Sequence, residues 1–489
     1  MLNITMKKHI SIIVTLFMIS LMTGCVNANG YIPIPDAKVD LTPTNELIIE
    51  LPGSFSLPQN SFSSGIYLKA VSDYKKAYPD VNVTVNYIGD KDSAPTDQYQ
   101  TAESTAIMAG SGPDIILTDY FPDLYKVMDG GSFLNLNSII SGDKDFSMDD
   151  YKTEIMKAGY YKGGQYIMLV GYLLPTITGG KDILEKVGFD ASNVKDVTSF
   201  INEVGSCLPK AEENPAFNRV IGDVSRLGSL LDNLLPLSGI RLVNMETRTV
   251  LPDESDLRTF CEAYKPLWSD DMAAHFFFDI TPDTMKNGNF LFLFLSGSNL
   301  EITLIASTCY KSIGDTPIVI DTASLSGGLC ALATNGVAIN ANSHNQLNAW
   351  NFIKIIMSVS SVEGAPTGNE SYQYITAFPT NNIAFDKNMT TQADMMAENR
   401  DQFNKIGKSV AGYFDGKNPF WYDAALYPSV EDIDAIMPML RERVTEAVLP
   451  CQAQLDIFKQ CMEPYFTDKA SLDDCISDLK SKLMLYASE

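Results

Sequence analysis

The chain of 489 residues is too long for one small fold, and about 150 residues per domain points to three domains, with two large lobes fitting equally well. Hydrophobic residues at 45% and charged residues at 20%, with 24 prolines and 32 glycines, exclude a disordered or fibrous protein. Sixty acidic against 36 basic side chains give a formal charge of −24, which argues against nucleic acid, whose phosphates are met by Lys and Arg.

Lys7, Lys8 and His9 precede an apolar run from Ile10 to Met22, a length that suits a secretory signal better than a membrane span of about 20 residues. The run ends at Leu21-Met22-Thr23-Gly24-Cys25, which resembles a bacterial lipoprotein signal: a small residue stands before a cysteine that is acylated before the preceding peptide is removed. Met22 occupies a place where leucine is usual, and the alternative is an ordinary signal peptide with an incidental cysteine. The resemblance implies a signal peptide over residues 1–24, lipidation of Cys25, and a protein anchored to the cell membrane on its extracytoplasmic face. Loss of residues 1–24 removes two lysines and no carboxylate, leaving 34 basic and 60 acidic side chains, or −26. Residues 25–45, with Pro33, Pro35 and Pro43, read as an extended tether.

The body begins with a β-rich run at Glu46 to Leu51, followed by Tyr67, Val71, Tyr74 and Tyr78 at helical spacing up to Pro79. Val81, Val83, Val85 and Tyr87 alternate as a strand does. Thr96 is placed to cap a helix carrying Tyr99, Ala102 and Ala106 on one side, which ends near Gly110 and runs into a strand from Asp114 to Thr118. The order β-α-β-α-β predicts a mostly parallel sheet flanked by helices, whose ligands gather at the carboxyl ends of the strands. Further on, Tyr166 to Leu174 is β-prone and Lys181 to Val187 helical. Phe290 to Leu295 is the most apolar run of the body, six residues that suit a strand buried on both faces. Ala331 to Asn340 predicts another strand, followed by a helix capped by Asn342 or Ser343 that buries Leu347, Trp350, Ile353 and Ile356. Ser429 with Asp432, and Ser471 with Asp474, open two C-terminal helices.

Seven cysteines follow Cys25, namely Cys207, Cys261, Cys309, Cys330, Cys451, Cys461 and Cys475. They match no zinc spacing and read as buried thiols or occasional disulfides. Beyond the signal the chain has two histidines, His275 and His344, and no HExxH or GxSxG pattern. No metal, cofactor or catalytic residue is expected, and the protein reads as a non-enzyme.

Met108-Ala109-Gly110-Ser111-Gly112-Pro113-Asp114-Ile115-Ile116 gives the chain its resemblance to the extracellular solute-binding proteins of ABC importers, in the sugar-binding group that includes maltose-binding protein. In that group a helix ends in a G-x-G-P-D turn and the next strand carries side chains to the ligand cleft. Gly131-Ser132-Phe133-Leu134-Asn135-Leu136, Gly163-Gly164-Gln165-Tyr166, Asp182 to Gly188, Met285-Lys286-Asn287-Gly288, Asn335 to Ile339, Phe378-Pro379-Thr380 and Ser471 to Tyr486 resemble the family's later phrases in order. The resemblance covers nearly the whole body of the chain. It implies an α/β fold of two lobes, each a mostly parallel sheet flanked by helices, with the ligand cleft at the hinge between them. Residues 46–172 and 332–385 are expected to form lobe 1, and residues 173–331 and 386–489 lobe 2, with crossings near Tyr172, Ala331 and Phe385. The expected partners are a small-molecule solute, carbohydrate by the group's habit, and the transmembrane subunits of an ABC permease, and the protein is expected to be a monomer.

A sugar presents hydroxyls at its rim and C–H bonds on its faces, so a site for it needs carboxylates or amides and aromatic planes. The resemblance places Asp119 and Tyr120 just beyond the first-lobe strand, Tyr172 at the first crossing, Ser298 and Asn299 after the apolar strand, and Trp421 and Tyr422 in the C-terminal segment. Asp119 has an alternative as a helix cap ahead of Phe121-Pro122-Asp123, and Trp421 one as a core residue. Trp268 and Trp350 read as core. Where relatives carry tryptophan after the apolar strand, this chain has Ser296-Gly297-Ser298-Asn299-Leu300, so a peptide or another small solute remains the alternative ligand. A lipid-anchored glycoside hydrolase is the alternative of another class, but no spacing among the sixty carboxylates singles out the pair such an enzyme needs.

Overall fold

The structure is a computed structural model that describes residues 34, 37–56, 61–90, 97–223, 230–268, 282–297, 300–359, 362–363, 373–374, 377–406, 410–411, 421–422, 428–449 and 451–488. Cys25, Ser298 and Asn299 lie outside the described residues. Among those described, no helix is long and apolar enough to cross a membrane.

Ten strands join in one sheet: β1 (Glu46–Pro52), β2 (Asn82–Ile88), β3 (Ile115–Leu117), β4 (Met168–Gly180), β5 (Ile221–Asp223), β6 (Phe292–Gly297), β7 (Pro317–Ile320), β8 (Leu329–Ile339), β9 (Phe378–Pro379) and β10 (Val444–Val448). The main path is β2-β1-β3-β8-β4-β6-β5, with β7 and β9 also paired to β4 and β10 to β8. β1 is parallel to β2 and β3, β8 is antiparallel to β3 and β4, and β6 is antiparallel to β4 and parallel to β5.

Two long strands carry the chain through both halves of this sheet. β4 pairs with β8 from Met168 to Leu173 and with β6 from Leu174 to Gly179. β8 pairs with β10 over Leu329 to Leu332 and with β3 over Val337 to Ile339. The fold is therefore α/β with two lobes, continuous through β4 and β8. All of β4 is buried except Leu173, which suits a strand covered on both faces. Near Phe385 the chain is helical, in Asn382–Ile406, and the strand before it, β9, pairs with Gly171 and Tyr172.

The helices read from the apolar spacing form, with two differences, and others such as Val197–Ala211 and Asn382–Ile406 were not foretold. Helix α1 (Ser61–Ala77) buries Tyr67, Ala70, Val71 and Tyr74 at steps of three and four. Helix α2 (Asp97–Met108) turns a different face inward from the one predicted. Tyr99, Glu103 and Ile107 are buried, whereas Ala102 is exposed and Ala106 is half-buried. A face chosen by apolarity passes over Glu103, and the packed face includes it. The second difference is the helix Gln346–Met357, which begins at Asn345 and not at Asn342 or Ser343. The Ser343 hydroxyl donates to Asp114 Oδ1 at 2.6 Å and the Asn345 amide to Asp114 Oδ2 at 3.1 Å, so these side chains hold the sheet and cap no helix.

Leu347, predicted to be buried, is half-buried, and Thr96 lies outside the described residues; the other predicted core residues and caps below agree with the structure. Gly110 and Gly112 take φ of 74° and 100°, the left-handed region a helix-ending turn requires. Ser429 and Asp432 form a reciprocal capping box, and the Asp474 amide donates to the Ser471 hydroxyl at 3.1 Å. Trp350 is buried and donates to Asp143 at 2.7 Å, and Trp268 stacks on Phe466 at 4.9 Å. The seven cysteines after Cys25 are free thiols, all buried except the half-buried Cys451.

Candidate functional site

Strand polarity decides where side chains can gather. β3 runs in the same direction as β4, so its carboxyl end at Leu117 points toward the place where β4 changes partners. β6 arrives from the other lobe, and its carboxyl end at Gly297 pairs with Leu174. The carboxyl ends of both groups of strands thus converge beside Leu173 and Leu174, the kind of place where α/β sheets collect ligands. Asp119 and Tyr120 follow β3 directly, and Ser298 and Asn299 follow Gly297 in the chain.

Asp119 lies in the short 3-10 turn Thr118–Tyr120. Its Oδ2 accepts from the Thr334 hydroxyl at 2.8 Å and the Asn335 amide at 2.7 Å, and its Oδ1 from the Gly336 amide at 3.1 Å. These donors lie on the stretch of β8 between its pairing with β10, which stops at Leu332, and its pairing with β3, which starts at Val337. A carboxylate closes the gap in the ladder, and Asn335 takes a φ of 52° beneath it. Asp119 keeps an exposed surface although many protein atoms surround it. The loss of surrounding water raises its pKa, against the three donated hydrogen bonds, which lower it. The cap of the following helix, Leu124–Asp129, is Asp123, which accepts from the Lys126 amide at 3.2 Å.

Tyr120 is half-buried, its ring packed edge-on against Tyr99 at 5.3 Å and Phe55 at 6.3 Å. Tyr172 has no accessible surface; its ring lies 5.5 Å from Phe378, and its buried hydroxyl has no hydrogen-bond partner. Lys152 covers that side, its Nζ 6.0 Å from the Tyr172 ring and 4.3 Å from the Phe385 ring. Successive strand residues face opposite ways, so Leu173, the one half-buried residue of β4, points to the other face. Leu173 pairs with Leu332, and Thr334, two residues on, shares that face with it. Leu173 and Thr334 therefore stand with Asp119, and sequence reasoning missed both. The parity of a run that is apolar throughout carries no signal that would have favoured Leu173 over Tyr172. Trp421 and Tyr422 form a short strand paired with Val410–Ala411, and their side chains lie outside the described residues.

A cavity of about 600 Å³ is lined by residues that include Tyr125, Lys157, Tyr161, Met245, Glu446 and Leu455, and by none of the residues picked from the sequence. Beside it the Lys162 amide donates to Glu246 at 2.8 Å, and the Tyr161 hydroxyl lies 3.2 Å from both the Met245 carbonyl and Asp129. The Lys162-Gly163 turn that presents this contact has φ of 45° and 89°, the paired left-handed residues of a tight hairpin. Among the described residues no three His, Cys, Asp or Glu side chains meet in a way that could hold a metal ion.

The family model for bacterial extracellular solute-binding proteins matches residues 59–189, a stretch that includes the Gly110 to Asp114 turn, β3 and β4. Among solved structures, the sugar-binding protein MalE of Xanthomonas citri matches 91% of this chain and 97% of its own at 13% identity, with a TM-score of 0.55. An extracellular solute-binding protein family 1 from Alicyclobacillus acidocaldarius matches 92% of this chain and all of its own at 14% identity and a TM-score of 0.51. A periplasmic solute binding protein of Pectobacterium atrosepticum matches 91% and 99% at 14% identity and a TM-score of 0.51. At these identities the structural likeness is one of fold. No curated protein matches the chain by sequence. The resemblance to extracellular solute-binding proteins read from the motifs is borne out.

Proposed function

We propose that this chain is an extracytoplasmic receptor, anchored through Cys25, which captures a carbohydrate between its lobes and delivers it to an ABC permease. The observation that carries the reading is the convergence of the carboxyl ends of β3 and β6 on the strands that run through both lobes. A ligand seated there touches both lobes at once, and its contacts favour the closed arrangement over the open one. Lobe 1 is assigned residues 46–172 and 332–385, and lobe 2 residues 173–331 and 386–489. Asp119, Tyr120, Ser298, Asn299, Trp421 and Tyr422 are the side chains assigned to the ligand, together with Leu173 and Thr334. Tyr172 acts from behind, by packing. The similarity to the sugar-binding protein MalE of Xanthomonas citri supports the carbohydrate class.

Binding is favoured over hydrolysis because Asp119 has both oxygens engaged by donors of β8, which suits a structural or hydrogen-bonding carboxylate better than a proton-transfer group. The test is a saccharide panel read by thermal shift, run beside incubation with chromogenic glycosides. A saturable shift with at least one saccharide and no turnover is expected. Turnover sinks the receptor reading, and silence across the panel sinks the carbohydrate.

A further inference from the structure

We propose that Glu103, buried on helix α2, keeps one proton that it shares with the half-buried Glu50 of strand β1, and that this proton fastens the helix to the strand. Glu103 has no exposed surface, and neither of its carboxyl oxygens meets a hydrogen-bond donor. It lies on the packed face of α2 between Tyr99 and Ile107, in contact with the Glu50 carboxyl of β1. Glu50 accepts from the Asn86 amide of β2 at 3.3 Å. Tyr99 is also close, but its single hydroxyl proton is directed to the Glu50 main-chain carbonyl at 3.1 Å. Among the described residues, the titratable groups facing Glu103 are Glu50 and Tyr99, with Tyr120 and Tyr67 behind Tyr99, and none of these is a cation.

With Glu103 cut off from water and Glu50 half-buried beside it, two ionised carboxylates repel each other, and Glu103 loses its hydration with nothing to replace it. One proton resolves both problems. Held by Glu103, it removes the buried charge and supplies a donor to the Glu50 carboxylate beside the one from Asn86. Burial, followed by the neighbouring Glu50, raises the pKa of Glu103 to about 9. The pair lies one ring from the candidate ligand site, because Tyr99 packs on Tyr120 and Tyr120 adjoins Asp119.

The linkage has a definite sign. An unfolded glutamate releases its proton near its ordinary value of 4.5, whereas the folded chain keeps this one up to about 9. Between those values the folded state holds one proton more, so stability falls as pH rises, by up to about tenfold in the unfolding constant per pH unit. Glu103→Gln retains the shape and carries a permanent donor, and it abolishes that dependence. The experiment compares urea unfolding of the wild-type protein and Glu103→Gln from about pH 5.5 to 8.5, with and without EDTA or added calcium. The expected result is a difference of one proton between the two slopes, with Glu103→Gln gaining on the wild type as pH rises. Parallel profiles overturn the proposal, and so does a wild-type stability that EDTA lowers and calcium restores, since a metal would then occupy the pair. Should Glu103→Gln fail to fold, Glu50→Gln must give the same slope difference, and a carbon-13 titration of the wild type must find no carboxyl shift from Glu103 near its ordinary value.

Discussion

Replacing Asp119 by alanine removes the acceptor for Thr334, Asn335 and Gly336 in the gap between β3 and β10. Hydrogen bonds to a charged acceptor contribute about 1.5–3 kcal/mol each, which taken alone would total several kcal/mol. Two corrections lower the figure. The Thr334 hydroxyl can turn to water, and the two amides lie beside an exposed face where water replaces part of what is lost. A loss of ~2–4 kcal/mol follows, read as a lower urea midpoint at an unchanged denaturant slope. Asp119→Asn, which keeps one acceptor oxygen, should lose about half as much. Saccharide titration of the same variants separates two roles, because a carboxylate that serves only the strand leaves affinity close to wild type once folding is corrected for. A stability loss below ~0.5 kcal/mol for Asp119→Ala would refute the reasoning, since the free edge of β8 would then be satisfied without it.

The remaining predictions concern groups the structure leaves unpaired or holds charged. Tyr172→Phe deletes a buried hydroxyl that has no partner and should leave thermal stability unchanged or raise it by ~1 kcal/mol; a clear loss would show that the hydroxyl is satisfied. At Asp143 burial raises the pKa, but the Lys354 ammonium and Trp350 indole, each donating at 2.7 Å, outweigh it and hold the carboxyl below its ordinary value. A depressed folded-state pKa contributes stability above the unfolded value, and this is lost as pH falls through the folded one. Asp143→Asn should therefore cost ~1 kcal/mol near neutral pH and progressively less in urea unfolding below about pH 4; an equal cost at both would remove the ion pair from the account.

What the sequence made legible was local. The capping box of Ser429 and Asp432, the Gly110 and Gly112 turn and the helical spacing of α1 each depend on residues a few positions apart, and each was read correctly. β4 shows where such reading stops. Its predicted end at Leu174 falls six residues short of Gly180, because Pro175, Gly179 and Gly180 speak against a strand that β6 and β7 nonetheless pair from both sides. Glu103 was passed over on α2 because a carboxylate does not look like a core residue, and only contact with Glu50 across 53 positions reveals why it is one. The site was legible at Asp119, one residue past a recognisable turn and strand. It was not legible at Leu173 or Thr334, whose orientation depends on pairing between strands about 160 residues apart in sequence.

The most direct measurement is a crystal structure of the protein grown with the saccharide that gives the largest thermal shift. The account predicts a sugar between the carboxyl ends of β3 and β6, in contact with Leu173 and Thr334 and with residues of both lobes. A sugar bound in the cavity lined by Lys157 and Tyr161, away from Leu173 and Thr334, or held by one lobe alone, would contradict it.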